Sequence, residues 1–277
     1  MHDGRMPPVL SRILTATLTT LLLAGCAREP APRVEDGPEV ERLGVEVVAQ
    51  HPMDPRSFTQ GLEFDGERLL VGTGLRGASR IYSSTLDGTE IRSERLPGDL
   101  FGEGITDTGA TVWQLTWKSG TAIRRDRETL RETDRVSYPG EGWGLCAFND
   151  TVVMSDGTDH LRLLDPTNLR ERARIPVTVA GEPVAQLNEL ECLEDHGHRY
   201  VLANIWKSTD ILRIDPDTGT VDALIDASDL AAMKSRGAED VLNGIAGVPG
   251  TDRLLLTGKR WGTLYEVRLT EHPSTDG

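Results

Sequence analysis

The sequence predicts an all-β fold, a five-bladed β-propeller with four-stranded antiparallel blades closed by an N-terminal strand. Three observations carry that prediction. A short phrase recurs five times: Gln60-Gly61-Leu62, Glu103-Gly104-Ile105, Trp143-Gly144-Leu145, Asn188-Glu189-Leu190 and Asn243-Gly244-Ile245. Its second position moves from 61 to 104, 144, 189 and 244, intervals of 43, 40, 45 and 55 residues. Intervals of this size with only β patterning inside them mean sheets stacked around an axis, one per repeat. Turn dipeptides divide the repeats into strands, and a strand-like segment with no inner strand ahead of it precedes the first repeat.

Taken from the N-terminus, residues 1–25 read as a lipoprotein-type signal peptide. Arg5 and Arg12 precede an apolar stretch, Ile13 to Ala24, which ends in Leu23-Ala24-Gly25-Cys26. A basic flank, a short apolar core and small residues before a cut mark a secretory signal, and the stretch is too short for a spanning helix. Its end resembles the bacterial lipobox, which makes Cys26 the lipidation site and anchors the chain to a membrane without spanning it. Residues 26–41, polar and Pro-rich, read as a flexible tether. The propeller is then expected over 42–270, with a tail at 271–277. A bacterial envelope location follows, lipid-anchored on the periplasmic side of the inner or outer membrane.

Within the first repeat, Gly61 to Phe64 reads as an inner strand, Asp65-Gly66 as a hairpin turn and Leu69 to Thr73 as the return. Arg80 to Thr85 and Glu90 to Arg95 flank a second turn at Asp87-Gly88. Third strands recur at Ala122 to Asp126, Leu161 to Leu164, Ile211 to Ile214 and Leu264 to Leu269, with Asp165-Pro166 and Asp215-Pro216 as the clearest turns after them. The last repeat stops after its third strand. Gly44 to Gln50 is its natural fourth strand, since an open edge there invites aggregation. The longest interval holds Ser228 to Arg236, where Ser228 or Asp229 can cap a short helix. Cys146 and Cys192 follow the phrase in neighbouring repeats. A disulfide between them requires Cα atoms within about 7 Å, and two buried thiols are the alternative.

The residue before the repeated glycine (Glu189 in the fourth copy) varies, with only Asn occurring twice, as a binding position would and a structural column would not. Because inner strands enter from one side, Gln60, Glu103, Trp143, Asn188 and Asn243 form a ring at the channel mouth. A second column, where the second strands return, holds Thr73-Gly74, Trp117, Ser155-Asp156, Trp206 and Lys259. Phe58 points to the same side as Gln60. Three of the five tryptophans thus fall at one mouth, an apolar box with polar groups at its floor. Burial there raises the pKa of Glu103 toward that of a useful acid or base, while Lys259 opposes the shift.

Other chemistries are weakly supported. His196 and His198 lie in a turn, His51 and His160 stand alone and His2 is in the signal, so no metal constellation is expected. Ser155 has no histidine at a recognisable spacing. Gly72-Thr73-Gly74 opens no helix and does not read as a phosphate loop. The formal net charge of -14 argues against nucleic-acid binding.

At these residues the sequence resembles the plant- and bacterial-type glutaminyl-peptide cyclotransferases, over residues 44 to 269. The resemblance rests on an ordered set: Ser57-Phe58-Thr59-Gln60-Gly61-Leu62, Phe101-Gly102-Glu103-Gly104-Ile105, Gln114-Leu115-Thr116-Trp117, Gly142-Trp143-Gly144, Ser155-Asp156-Gly157, Leu187-Asn188-Glu189-Leu190-Glu191, Ala203-Asn204-Ile205-Trp206, Leu242-Asn243-Gly244-Ile245-Ala246 and Thr257-Gly258-Lys259. It implies a five-bladed propeller that converts N-terminal glutamine of peptides to pyroglutamate with loss of ammonia and without catalytic zinc. It further implies Glu103 as general acid/base and Phe58, Gln60, Trp117, Trp143, Ser155, Asn188, Trp206 and Lys259 as pocket residues. Asn188 and Lys259 are the candidate oxyanion donors. The chain departs from the pattern at Gly102, where some relatives carry a larger side chain, and this bears on pocket depth. No cofactor is expected, a structural calcium ion being left open; the expected partners are Gln-initiated peptides, and a monomer is expected. Two other readings stand beside this one. A calcium-dependent, lactonase-like hydrolase would use the oxygens of Glu103, Asn188, Asn243 and Asp156. A non-catalytic propeller would simply bind peptides.

Overall fold

A computed structural model describes residues 40–234 and 237–271. The signal peptide, Cys26 and nearly all of the tether read from the sequence lie outside the described residues, as do residues 272–277 of the tail.

The strands follow the alternation of apolar residues and turn signals. The chain opens with β1 (Glu41–Pro52). A first antiparallel sheet holds β2 (Thr59–Asp65), β3 (Arg68–Thr73), β4 (Arg80–Ser84) and β5 (Glu90–Arg95). A second holds β6 (Gly102–Asp107), β7 (Val112–Thr116), β8 (Thr121–Arg125) and β9 (Glu132–Ser137). The third holds β10 (Leu145–Ala147), β11 (Val152–Met154), β12 (His160–Leu164) and β13 (Glu171–Pro176), and a small hairpin follows, β14 (Thr178–Val179) and β15 (Glu182–Pro183).

The remaining strands form one eight-stranded sheet. One half is β16 (Leu187–Asp195), β17 (His198–Ile205), β18 (Asp210–Ile214) and β19 (Val221–Asp226). The other half is β20 (Leu242–Gly247), β21 (Arg253–Gly258), β22 (Thr263–Glu271) and β1. Each half is internally antiparallel; they join through a parallel pairing of β1 with β19, Glu41 to Gly44 against Ala223 to Asp226. The expected closing strand therefore exists and pairs with β22 from Leu43 to Pro52. Its first residues also cover the edge of β19, a pairing that strand patterning does not announce. Both edges lose their free N–H and C=O groups by this one segment.

Apolar cores lie between successive sheets. Leu70, Ile81, Ile105 and Val112 fill the space between the first and second sheets, and Trp113, Leu115, Leu145 and Val152 that between the second and third. Leu62, Val71, Ala246 and Leu255 join the last-formed set of strands back to the first. Correspondingly, β2 meets β6, β6 meets β10, β10 meets β16, β16 meets β20 and β20 meets β2.

The repeated glycines allow that close approach of first strands. A Cβ on Gly61 would lie 2.7 Å from Ile105 N and one on Gly104 2.6 Å from Leu145 N, while one on Gly144 would strike the Asn188 carbonyl. The exceptional copy, Glu189, bridges strands instead: its buried carboxylate accepts the N–H groups of Leu62 (3.2 Å) and Ile245 (2.9 Å) on two other first strands.

The cysteines form a disulfide joining the third sheet to β16, with Cα atoms 5.4 Å apart. The helix α1 (Ser228–Lys234) forms where expected, but neither named residue caps it. Ser228 is already inside the first turn, and the Asp226 carboxylate accepts its N–H at 2.8 Å.

Candidate active site

A β-bulge recurs at the start of the first strands and explains the repeated phrase. Register slips by one residue between Thr59 and Gly61, between Gly102 and Ile105, between Leu187 and Leu190, and between Leu242 and Ile245. In the third sheet Trp143 N–H donates to Ser155 O and Ser155 N–H to Gly144 O, both at 3.1 Å, so two residues again oppose one. A bulge turns one side chain out of the alternation and strengthens local twist, which is why it re-aims residues beside active sites. Here the re-aimed positions are the varied column.

The result is a cavity of about 350 Å³. Of the residues picked from the sequence, Phe58, Gln60, Glu103, Trp117, Trp143, Asn188, Trp206 and Lys259 all line it. The second column returns beside residues two before the ring: the N–H groups of Gly74, Trp117, Trp206 and Lys259 donate to the carbonyls of Phe58, Phe101, Gln186 and Val241 at 2.8 to 3.0 Å. The other two tryptophans have packing roles, with indole N–H groups donating to Pro166 O from Trp113 and to Asp240 O from Trp261.

Three expectations are corrected. Ser155 does not line the cavity: its hydroxyl donates to Asn188 O (2.6 Å) and accepts from Gly144 N (2.7 Å), so it fixes the backbone carrying Asn188. Asn243 lies behind the wall, its amide donating to Thr59 O (2.8 Å) and Gln60 Oε1 (3.1 Å). Gly102 does not govern cavity depth, because a Cβ there would point at Thr73 O, Gln114 and Leu96. Of the four groups considered for a hard cation, Glu103 and Asn188 line the cavity but Asn243 and Asp156 do not; the Asn243 oxygen is buried without a hydrogen bond, and Asp156 accepts from the Thr158 hydroxyl at 2.6 Å. Among the described residues no group of three or more His, Cys, Asp or Glu is placed to hold a metal.

Four lining residues were not singled out: Leu75, Phe101, Glu239 and Arg260. Phe101 was within reach, since it precedes Glu103 by two residues as Phe58 precedes Gln60. Glu239 comes from the long insertion, whose end returns to the mouth; the adjacent Asp240 accepts from Arg260 at 2.8 Å. Phe58 and Phe101 pack edge to face at 6.1 Å, Phe101 and Trp117 at 5.6 Å, and Trp143 and Trp206 edge to face at 5.9 Å. Nothing in the spacing of the insertion tells where its end will land.

Glu103 is buried, 4 % exposed, and loss of solvation pushes its pKa well above the ordinary carboxylate value. The Lys259 ammonium and a hydrogen bond from Gln60 oppose that shift, and the Glu141 carboxylate adds to it. Lys259 is equally buried; desolvation lowers its pKa while Glu103 holds it up. Its ammonium sits 4.8 Å from the centroid of Phe58. Asn243 sets the polarity of the Gln60 amide: by donating to Gln60 Oε1 it leaves the Gln60 NH2 to face Glu103. The assembly can exchange a proton within an apolar box and present an amide and an ammonium to developing negative charge.

The family model described as "Glutamine cyclotransferase" matches residues 17–269. The chain is 35% identical over 240 residues to a glutaminyl-peptide cyclotransferase of Arabidopsis thaliana, covering 84% of this chain and 73% of that protein. It also matches the crystal structure of Myxococcus xanthus glutaminyl cyclase with a TM-score of 0.77 at 36% identity, covering 83% of this chain and 98% of that one.

Proposed function

The chain belongs to the glutamine cyclotransferase family and is an enzyme of the glutaminyl cyclase type; from that premise we propose that its aromatic cavity cyclises N-terminal glutamine with Glu103 as general acid and base. The observation that carries this assignment is the buried Glu103, raised in pKa by its apolar surroundings and hydrogen-bonded by Gln60. In the reaction the substrate α-amine nitrogen attacks the carbon of its own side-chain amide. A C–N bond forms to close the lactam, the bond to the amide nitrogen breaks, and one proton passes from the attacking to the departing nitrogen, which leaves as ammonia. Glu103 takes that proton and returns it. Such transfer is typically worth about 10² to 10⁴ in rate when the carboxyl pKa approaches the working pH.

Asn188 and Lys259 are the donors for the oxygen that gains charge during attack. The indoles of Trp117, Trp143 and Trp206 with Phe58 hold the side chain folded onto the amine, an orientation effect. The chemistry is redox-neutral and needs proton transfer and charge stabilisation, which these side chains supply without a cofactor. The calcium-dependent alternative is not favoured, since its oxygen set does not converge on the cavity. The experiment is a coupled ammonia assay on a Gln-initiated peptide. The parent protein releases ammonia; Glu103→Gln loses at least about 10²-fold while keeping the parent circular dichroism spectrum. Absence of release by the parent, or full activity in the variant, would reject the assignment.

The same reading extends to architecture and location. The five first strands in cyclic contact and the core between each neighbouring pair support a five-bladed propeller over 42–270. The eight-stranded sheet is then two blades joined at their outer edges by β1. Residues 1–25 serve as a lipoprotein signal, Cys26 is acylated, 26–41 tether a monomeric enzyme to the envelope on the periplasmic side, and 271–277 form a tail. Cys26→Ser should move the protein from the membrane fraction to the soluble fraction without changing its turnover. Retention in the membrane fraction would remove the anchor assignment.

A further inference from the structure

Two of the cavity's indoles share a partner that neither the repeat phrase nor the family motifs draw attention to. The Glu141 carboxylate, in the turn before β10, accepts the Trp117 indole N–H at 2.7 Å and the Trp143 indole N–H at 3.0 Å on the same oxygen, Oε2. Its other oxygen lies 3.4 Å from Lys118 Nζ, and that ammonium rests 4.2 Å above the Trp117 ring. The aromatic wall otherwise falls into two packed groups, Phe58 with Phe101 and Trp117, and Trp143 with Trp206. Glu141 is the hydrogen-bonded link between them. It occupies the position two before the ring residue, where the first two repeats place Phe58 and Phe101.

An indole ring in a partly open cavity can rotate unless its one donor is held. A single acceptor shared by two rings fixes both planes relative to each other, and hence the width of the slot between them. We propose that Glu141 is a positioning residue for glutamine cyclisation, clamping Trp117 and Trp143 so that the substrate side chain is held folded against its own amine. This inference rests on the cyclase assignment above. The same carboxylate acts on Glu103 through space, adding negative charge to a site whose other facing groups are Lys259, Tyr138 and Gln60. The indole N–H bonds, with Lys118, outweigh the effect of burial and keep Glu141 itself ionised.

The clamp and the charge separate experimentally. Glu141→Gln keeps an oxygen that can accept both indole N–H groups but removes the charge; Glu141→Ala removes both. With a Gln-initiated peptide and the full chain, Glu141→Ala should lower kcat/KM by about 10² and change the near-ultraviolet circular dichroism of the indoles. Glu141→Gln should restore most of the rate and the parent spectrum. Both variants should move the rising acid limb of the pH profile downward, because Glu103 loses a repelling neighbour. Equal rate losses in the two variants, or parental kinetics in Glu141→Ala, would overturn the clamp. The spectrum of Glu141→Ala is measured without substrate, so it tests the clamp even if the parent releases no ammonia, an outcome that would reject the cyclase assignment instead.

Discussion

At the residue scale the proposed chemistry turns on two opposed ionisable groups that line one cavity. Desolvation pushes Glu103 up and Lys259 down, and each favours the charged form of the other. Removing one should therefore displace the other in a known direction. In Lys259→Met, Glu103 loses the ammonium that supports its carboxylate, so its pKa rises further and the acid limb of kcat/KM moves to higher pH. If Lys259 also serves the oxyanion, kcat should fall by about 10² to 10³. A pH profile of the variant checks both; a limb that stays put would show that the two groups do not communicate. The identities of Gln60, Glu103, Trp143 and Asn188 were legible because they vary where a packing column would repeat. Glu141, Glu239 and Arg260 were not, since their roles depend on where turns and an insertion end in space.

At the element scale the deciding device is the bulge at the head of the first strands. It accounts for a polar or aromatic residue followed by a glycine, and for the failure of strict alternation there. Without the bulge the ring residues would follow the pleat, and a one-residue change of register moves a side chain to the other face of its sheet. The glycine does a second job by letting neighbouring backbones touch, whereas at Glu189 a carboxylate instead bridges two other first strands by hydrogen bonds. Strand identities and most turns were readable from the sequence. The disulfide was not decided by it, because two cysteines in neighbouring repeats satisfy the spacing whether or not their Cα atoms approach.

At the scale of the whole molecule, the packing of first strands against one another buries carboxyl groups. Glu191 is buried on β16 and accepts the Gly247 N–H on β20 at 2.7 Å; desolvation raises its pKa to about 8. Its pKa in the unfolded chain is near 4.5. The folded state therefore holds a proton that the unfolded state has lost between these values, and stability falls as pH rises through that window. Glu189 and Glu63 are raised in the same sense, by burial and by repulsion from Glu191. Glu191→Gln retains an acceptor for Gly247 and cannot ionise, so its stability should decline less steeply from pH 5 to 8. The difference in slope is at most about 1.4 kcal/mol per pH unit. Denaturant melts at several pH values measure it, and parallel curves for parent and variant would refute the buried titration.

What the sequence determined by itself was the repeat, the strands within it, the closing role of the segment at Gly44 to Gln50 and the residue types at the mouth. These depend on local periodicity and on turn chemistry, both written in neighbouring residues. What the tertiary structure alone decided was which of those residues meet. Asn243 retreats behind Gln60 because its amide finds a backbone carbonyl, Ser155 turns its hydroxyl to the Asn188 backbone, and Glu141 braces the wall because two indoles from different repeats converge on it. Hydrogen-bond partners across repeats are settled by how closely whole sheets approach around the axis, a distance that no local pattern encodes.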